Sequence, residues 1–273
     1  MSNKFYEERW IKHLDTSYDD MFKPLQKTEM AWLPWIGKDY KKATGKILIV
    51  GESHYTNEPN HNQVDARKLE ISNNPNFTRE VTAEYPLEGY EAGWKNACGR
   101  KNNPTFDNLH RALLERDLLN SEEKEMRGVL WQQIGFYNIV QRPMDYGAGR
   151  RERPNPSDFL NGWLTFLKVV RILQPKTCIF LGVTASNFFS EAMTNNEAVT
   201  DLSMEFTPVD RGEKFNGINK RTGGSMTIMG IKTDLIFMRH TSQYFRWKLW
   251  NTYLKENIPE SMAYLKKTVL NEE

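Results

Sequence analysis

The hydrophobic positions of the chain gather into four short runs, at residues 47–50, 134–140, 178–182 and 235–238. These runs do not alternate with polar residues, which is typical of strands buried on both faces of a parallel sheet. Stretches with apolar residues at helical spacing lie between the runs and after the last one. This alternation predicts an α/β fold, specifically a three-layer α/β/α sandwich with a central four-stranded parallel sheet.

The helix between the second and third runs has the clearest predicted boundaries. Asn155 is a good N-cap residue, Pro156 suits the first helical turn, and Pro175 ends the pattern. A single apolar stripe runs between these signals and consists of Phe159, Trp163, Phe166, Leu167, Val170 and Leu173. We therefore predict a helix here that faces the core.

The length of 273 residues suits one large domain, and we predict a single domain over residues 1–273 with two elaborations. Residues 1–45 are predicted to form an N-terminal helical extension that ends in an irregular segment around Trp32 and Trp35. Residues 56–104 are rich in Asn, Pro, Glu and Gly, and they lack a steady hydrophobic period. Such a stretch indicates a long insertion beside the first strand, and insertions of this length are usually functional or mobile.

Composition and charge narrow the class of protein. The net charge of +2 permits a polyanionic partner, and the loop at residues 142–153 concentrates positive charge. No apolar stretch approaches the length of a membrane span and the amino end lacks a signal-peptide pattern, so we expect a cytoplasmic protein with no membrane partner. The two cysteines, Cys98 and Cys178, cannot form a four-cysteine metal site. We expect no metal, no cofactor and a monomeric chain.

Polar residues follow the first and last hydrophobic runs immediately. Gly-Glu-Ser-His-Tyr at residues 51–55 follows the first run, and His-Thr-Ser-Gln-Tyr at residues 240–244 follows the last. Ligands of open α/β sheets bind beyond the carboxyl ends of the strands. We therefore expect both segments to line one cleft.

Four motifs together resemble those of the uracil-DNA glycosylase superfamily. They are KILIVGESHY, GFYNIVQRP, LQPKTCIFLGVTAS and DLIFMRHTSQYF, and they cover most of residues 46–253 in the order of that family. The resemblance implies the glycosylase-like form of the α/β/α sandwich, and DNA as the partner. It also implies that the target base is flipped out of the helix into the pocket.

The resemblance and the basic loop together suggest a role for each candidate residue. The candidates are Glu52 and His240 for catalysis, Ser53, His54, Tyr55 and Asn138 for the base, and Ser242, Gln243, Tyr244, Arg142, Arg150 and Arg151 for DNA. Glycosidic cleavage builds positive charge on the sugar and negative charge on the departing base. Glu52 could stabilise the sugar cation or activate water, and His240 could donate to a base oxygen. Asn138 carries both a donor and an acceptor for reading the base edge.

Departures from the family pattern argue against ordinary uracil excision. Ser53 stands where uracil-specific members often carry Asp or Asn, His54 replaces a customary proline, and Thr241 replaces another. We therefore expect a glycosylase for a modified base, with a bulky modified cytosine of viral DNA as one candidate. Such an enzyme would serve defence against phage. The motifs place no lysine in the cleft, so we expect a monofunctional enzyme that leaves an abasic site.

Three other functions stay open from the sequence. The chain could be a uracil-DNA repair glycosylase or a catalytically inactive relative that only binds DNA. It could also be a hydrolase with Ser53 as nucleophile and His240 as base, although the G-x-S-x-G elbow is absent. At the level of single residues, Glu52 could simply cap a turn, and His240 and Asn138 could be structural.

Overall fold

The computed structural model describes residues 10–56, 60–87, 104–116, 118, 123–147, 150–194, 204–210, 214–215, 218–220, 222–242 and 244–272. The strands are β1 (Trp35–Ile36), β2 (Ile47–Gly51), β3 (Gly135–Asn138), β4 (Tyr146–Gly147), β5 (Arg150–Arg151), β6 (Thr177–Leu181), β7 (Met204–Asp210), β8 (Lys214–Phe215), β9 (Ile218–Lys220), β10 (Thr222–Ile228) and β11 (Ile231–Met238). Seven of them form one sheet in the order β1-β3-β2-β6-β11-β10-β7. The pairs β4–β5 and β8–β9 are separate two-stranded ribbons.

The α/β class is confirmed, but the prediction of a four-stranded parallel sheet is wrong. The strands β3, β2, β6 and β11 coincide with the four predicted runs and are mutually parallel. Antiparallel pairing then widens the sheet, because β1 pairs with β3 on one side while β10 and β7 follow β11 on the other. The connection between β10 and β11 is a two-residue turn at Met229 and Gly230, both with positive φ, as tight hairpins require.

Helices cover both faces of the sheet. They are α1 (Asp19–Gln26), α2 (Val64–Ser72), α3 (Phe77–Thr82), α4 (Pro104–Leu114), α5 (Lys124–Gln133), α6 (Pro156–Leu173), α7 (Phe189–Thr194), α8 (Trp247–Asn257) and α9 (Pro259–Leu270). In β2, Leu48 and Val50 pack into one hydrophobic core with α6 and α7, whereas Ile47 and Ile49 pack into a second core with α4, α5, α8 and α9. Because both faces of the strand are buried, its sequence shows no alternation of polar and apolar residues.

The boundaries predicted for α6 are confirmed. The side chain of Asn155 accepts a hydrogen bond from the backbone N–H of Asp158 at 2.9 Å, and the Asp158 carboxylate accepts one from the N–H of Asn155 at 2.8 Å. This is a reciprocal capping box, and Pro156 occupies the first helical position. Gln174 ends the helix in the left-handed conformation, directly before Pro175.

The N-terminal and insertion segments pack against each other. Part of the region expected to be irregular is β1, which joins the sheet at Trp35–Ile36. Arg79 of α3 is 2 % exposed, and its guanidinium pairs with Asp19 of α1 and donates to the carbonyl of Pro34 at 3.0 Å. The division into one domain with an extension and an insertion stays a prediction. In the described part of the chain, no helix has both the length and the apolar character needed to cross a bilayer.

Candidate active site

A cavity of about 1100 Å³ opens at the carboxyl end of the parallel strands. Its walls bring together both predicted catalytic residues and the four predicted base-binding residues. These are Glu52, Ser53, His54, Tyr55, Asn138 and His240. The two segments that follow β2 and β11 therefore line one cleft, as expected from the position of ligand sites in open α/β sheets.

The carboxylate of Glu52 stands just beyond the end of β2 and is held from two sides. The hydroxyl of Tyr55 donates to Glu52 Oε1 at 2.8 Å. The guanidinium of Arg153 lies 3.7 Å from the same oxygen and is itself 59 % exposed, while the Glu52 side chain is only 17 % exposed. Tyr55 was predicted to contact the base, and its hydrogen bond shows that it orients Glu52. Arg153 was not among the predicted site residues, because nothing in its sequence context connects it to residue 52.

Asn138 ends β3 and its side chain is 3 % exposed. Its Oδ1 lies against Gly51, where a Cβ atom would approach that oxygen to 2.2 Å. Any side chain at position 51 would therefore displace the amide, so the glycine at the end of β2 is required by the asparagine at the end of β3. Gln141 donates from Nε2 to the backbone carbonyl of Asn138 and fixes the chain directly after the strand.

His54 is buried at the floor of the cavity. Its Nε2 lies 2.8 Å from Thr78 Oγ1 and 3.0 Å from Asn138 Nδ2. The rings of Trp32 and Phe77 meet the imidazole edge to face, with ring centroids at 4.7 and 4.8 Å. Burial lowers the pKa of His54 to about 3, so the imidazole is neutral at physiological pH. Sequence reasoning missed Thr78, since only the packing of α3 against the cleft reveals its contact.

Ser53 uses its hydroxyl within the backbone framework. Its Oγ donates to the carbonyl oxygen of Arg142. A serine nucleophile must instead donate its proton to a general base. The contact therefore favours a structural role for Ser53 and gives no support to a hydrolase built on Ser53 and His240.

His240 follows β11 and is exposed at the rim of the cavity. The backbone N–H of Ser242 donates to His240 Nδ1 at 3.2 Å. An accepting Nδ1 places the proton of the neutral ring on Nε2, which makes that nitrogen a donor. Asn108 of α4 anchors the same segment, because its Nδ2 donates to the carbonyls of Thr241 at 2.8 Å and Ser242 at 3.1 Å. Asn108 is another site residue that the sequence motifs did not identify.

Tyr244 projects from the rim with 87 % of its surface exposed. Its backbone has φ of +62°, in the left-handed region that residues other than glycine rarely occupy. Such strain persists where the surrounding structure imposes it, and it is common at functional sites. Gln243, predicted beside it as a DNA contact, lies outside the described residues.

The predicted DNA-binding arginines have different surroundings. Arg142 pairs with Asp158 through Nε and Nη2, both at 2.7 Å, and with Glu152 through Nη1 at 2.6 Å. These bonds hold the basic loop to the start of α6 and raise the pKa of Arg142 further above its usual range. Arg150 and Arg151 form β5, which pairs with β4, but their side chains are outside the described part of the structure. A phosphate contact by any of the three stays a prediction.

The insertion supplies one whole wall of the cavity. Most of its lining residues are polar or aromatic, and these include Arg67, Glu70, Asn73, Asn74, Asn76, Phe77, Glu80, Glu84 and Tyr85; Pro75 and Val81 add apolar surface. Burial and the charge of Glu84 raise the pKa of Tyr85 to about 12, so its phenol stays protonated. The position of the insertion beside the site was predicted from the sequence, but none of these residues was singled out.

Within the described residues, no group of three or more His, Cys, Asp or Glu side chains is arranged to hold a metal ion. The chain matches no protein-family model, and no curated protein matches its sequence.

Proposed function

We propose that this chain is a monofunctional DNA glycosylase that hydrolyses the N-glycosidic bond of a flipped-out, modified base. The observation that carries the proposal is the common cavity of Glu52, Asn138 and His240, at the carboxyl edge of the parallel strands. These three residues supply an anion, a group that can read a base edge, and a ring donor. Cleavage of a glycosidic bond needs charge stabilisation of this kind on both sides of the breaking bond.

In the proposed reaction, water attacks C1′ of the deoxyribose while the bond from C1′ to the base nitrogen breaks and its electrons leave with the base. Glu52, oriented by Tyr55, stabilises the cationic sugar and accepts a proton from the attacking water. His240 donates a hydrogen bond from Nε2 to the base oxygen on which negative charge develops. The products are the free base and an abasic site, and the released proton neutralises the base.

The size and chemistry of the cavity support a modified base. Its volume of about 1100 Å³ exceeds the roughly 300–1,000 Å³ typical of sites for drug-sized ligands. A bare pyrimidine would leave most of this space empty. The wall from the insertion carries carboxylates, amides and aromatic rings, which suit a substituent with several hydrogen-bonding groups. A bulky modified cytosine, such as those of some phage DNAs, fits this description, and phage defence is the corresponding biological role.

The test is abasic-site formation on DNAs that contain uracil, cytosine, hydroxymethylcytosine or glucosylated hydroxymethylcytosine. We expect cleavage of a modified cytosine, with Glu52→Gln and His240→Ala each lowering the single-turnover rate by about 10²-fold or more. Glu260→Gln on the exposed start of α9 is the matched control and should keep full activity.

Each alternative has its own outcome in this experiment. Cleavage of uracil alone would make the protein a repair glycosylase. Binding of DNA without any abasic sites would identify a non-catalytic relative and would overturn the proposal.

A further inference from the structure

Three buried polar side chains form a hydrogen-bonded network at the cavity floor. Thr78 of the insertion helix α3, His54 and Asn138 are 1 %, 6 % and 3 % exposed, respectively. Thr78 Oγ1 and Asn138 Nδ2 both meet His54 Nε2, at 2.8 and 3.0 Å. The insertion is therefore connected through one imidazole nitrogen to the amide that lines the pocket.

One arrangement of protons follows from the amide orientation, in which Asn138 Nδ2 faces His54. An amide nitrogen can only donate, so His54 Nε2 accepts from Asn138 and the neutral ring carries its proton on Nδ1. The hydroxyl of Thr78 shares this acceptor, so that Nε2 receives a bifurcated hydrogen bond from the two groups. The opposite arrangement would turn Asn138 Oδ1 towards a protonated Nε2. It would take that oxygen away from its position over Gly51, where the structure places it.

Other contacts hold these three hydrogen-bonded side chains in place. The His54 ring lies between Trp32 and Phe77, which restricts its rotation. The adjacent residue of α3, Arg79, is tied to Asp19 and to the backbone of Pro34. The position of the Thr78 hydroxyl is therefore fixed from the N-terminal segment, outside the cavity.

We propose that Thr78 and His54 are positioning residues that fix the carboxamide of Asn138, with Nδ2 bound to His54 and Oδ1 over Gly51 as the acceptor for an N–H of the target base. The proposal rests on the proposed glycosylase function and assigns a task to the insertion. Thr78 and His54 set which hydrogen-bonding face the pocket shows, and so which base it accepts. A carboxamide free to rotate by 180° would present donor and acceptor alternately and would discriminate poorly between an amino group and a carbonyl.

The first test reads the tautomer directly in the DNA-free protein. Nitrogen-15 NMR of the histidine rings should show His54 as the neutral form protonated on Nδ1, with the signal assigned by its loss in His54→Asn. Thr78→Val should shift this signal or convert it to a mixture of tautomers. A His54 ring protonated on Nε2 in the unmodified protein would overturn the proposal. This measurement needs no enzymatic activity, so it decides the positioning claim even if no DNA is cleaved.

The second test measures discrimination. The rates are compared for the modified cytosine that is cleaved and for its deaminated counterpart, which carries a carbonyl in place of the amino group. Thr78→Val should reduce the ratio of the two rates about tenfold, the effect of one hydrogen bond, while Thr78→Ser keeps it.

Thr82→Val is the matched control, because Thr82 is equally buried on α3 and its hydroxyl donates to the carbonyl of Thr78 instead of to the pocket. An equal change of the ratio in the Thr78 and Thr82 variants would mean that α3 acts only through stability. That result would overturn the specificity role of Thr78. The absence of cleavage with every base would instead refute the glycosylase proposal and leave the tautomer experiment to decide the positioning claim.

Discussion

The two segments that close the cavity are held in opposite ways. In the segment at residues 51–55, the side chains of Ser53 and His54 bond to other parts of the protein, and Tyr55 bonds to Glu52 within the segment. In the segment at residues 240–244, Asn108 binds the backbone carbonyls, while the side chains of His240 and Tyr244 are exposed.

The backbones of the two segments repeat this difference. The first segment continues the parallel ladder, because the N–H groups of Ile139 and Val140 donate to the carbonyls of Gly51 and Glu52 at 3.0 and 2.9 Å. The second segment leaves the sheet and enters a strained turn at Tyr244. The first segment is therefore organised before any substrate arrives. The second presents the side chains of His240 and Tyr244 to whatever binds at the rim, so changes in the two segments should have different consequences.

The largest effect is expected from Gly51→Ala in the first segment. The new Cβ would lie 2.2 Å from Asn138 Oδ1, so the amide must move by more than 1 Å or rotate away. A displacement of this size at a reacting site lowers rates by about 10²-fold, and we expect that loss in single-turnover cleavage.

Gly37→Ala is the matched control for this change. Its Cβ would meet the carbonyl oxygen of Gln132 at 2.3 Å, an equally severe clash away from the cavity. We expect the control to lower the melting temperature but to keep the activity of each folded molecule. Equal losses of specific activity in both variants would show that the first segment is not specially organised.

A smaller effect is expected from Asn108→Asp, which removes the anchor of the second segment. A carboxylate cannot donate to the carbonyls of Thr241 and Ser242, so His240 loses its fixed position. We expect the cleavage rate to fall about tenfold and the free energy of unfolding to fall by roughly 1–3 kcal/mol.

Asn251→Asp is the control that separates the loss of cleavage rate from the loss of stability. Asn251 is a buried asparagine of α8 that donates from Nδ2 to the carbonyl of Ala112 at 2.9 Å, outside the cavity. Its replacement should cost similar stability in chemical denaturation and leave the rate unchanged. If both variants keep the full rate, Asn108 does not position His240.

How much of the fold could be predicted depends on whether a strand is marked by its own composition or depends on its tertiary pairing. The four parallel strands are predictable because each is buried on both faces, so their composition alone distinguishes them. Strand β10 was not predicted, since its sequence contains Gly223 and Gly224 and its pairing depends on the hairpin with β11. Two-residue β1 is too short to carry any pattern.

Site residues follow the same rule. Glu52, Asn138 and His240 lie at a strand end or within two residues of one, so the fold class alone brings them to one edge. Thr78, Asn108 and Arg153 reach the site from helices and a loop through tertiary packing. No local signal in the sequence marks such contacts. The anchors of a site are therefore harder to predict than the groups that they hold.

A selective effect is expected from Tyr244→Ala at the exposed end of the second segment. The tyrosine ring can enter the base stack of a duplex and replace the flipped base, a role that single-stranded DNA does not need. We expect cleavage of duplex DNA to fall several-fold, with little change on the same sequence as a single strand. Stability should change by less than about 0.5 kcal/mol, because the side chain is 87 % exposed. Tyr244→Phe is the control and should behave as the unmodified protein; equal losses on both DNA forms would exclude a wedge.

The smallest effect concerns the buried histidine of the first segment and is measured through stability alone. Burial lowers the pKa of His54 to about 3, from an ordinary value of 6.5, and burial with the nearby Arg127 and Arg111 does the same for His110. At pH values between the folded pKa and the unfolded pKa, the unfolded chain binds a proton on each of these histidines and the folded chain does not. Lowering the pH from 6 to 5 should therefore reduce the free energy of unfolding by about 1 kcal/mol for each buried histidine.

In the His54→Asn variant, the decrease of the free energy of unfolding from pH 6 to pH 5 should be smaller by the contribution of one histidine. The contribution of His110 should remain. Urea titrations at the two pH values measure the difference. If the His54→Asn variant and the unmodified protein lose the same free energy of unfolding between pH 6 and pH 5, His54 takes up a proton in the folded protein as well. A protonated Nε2 could not accept the hydrogen bond from Asn138, so the first segment would lose the fixed geometry that distinguishes it from the second.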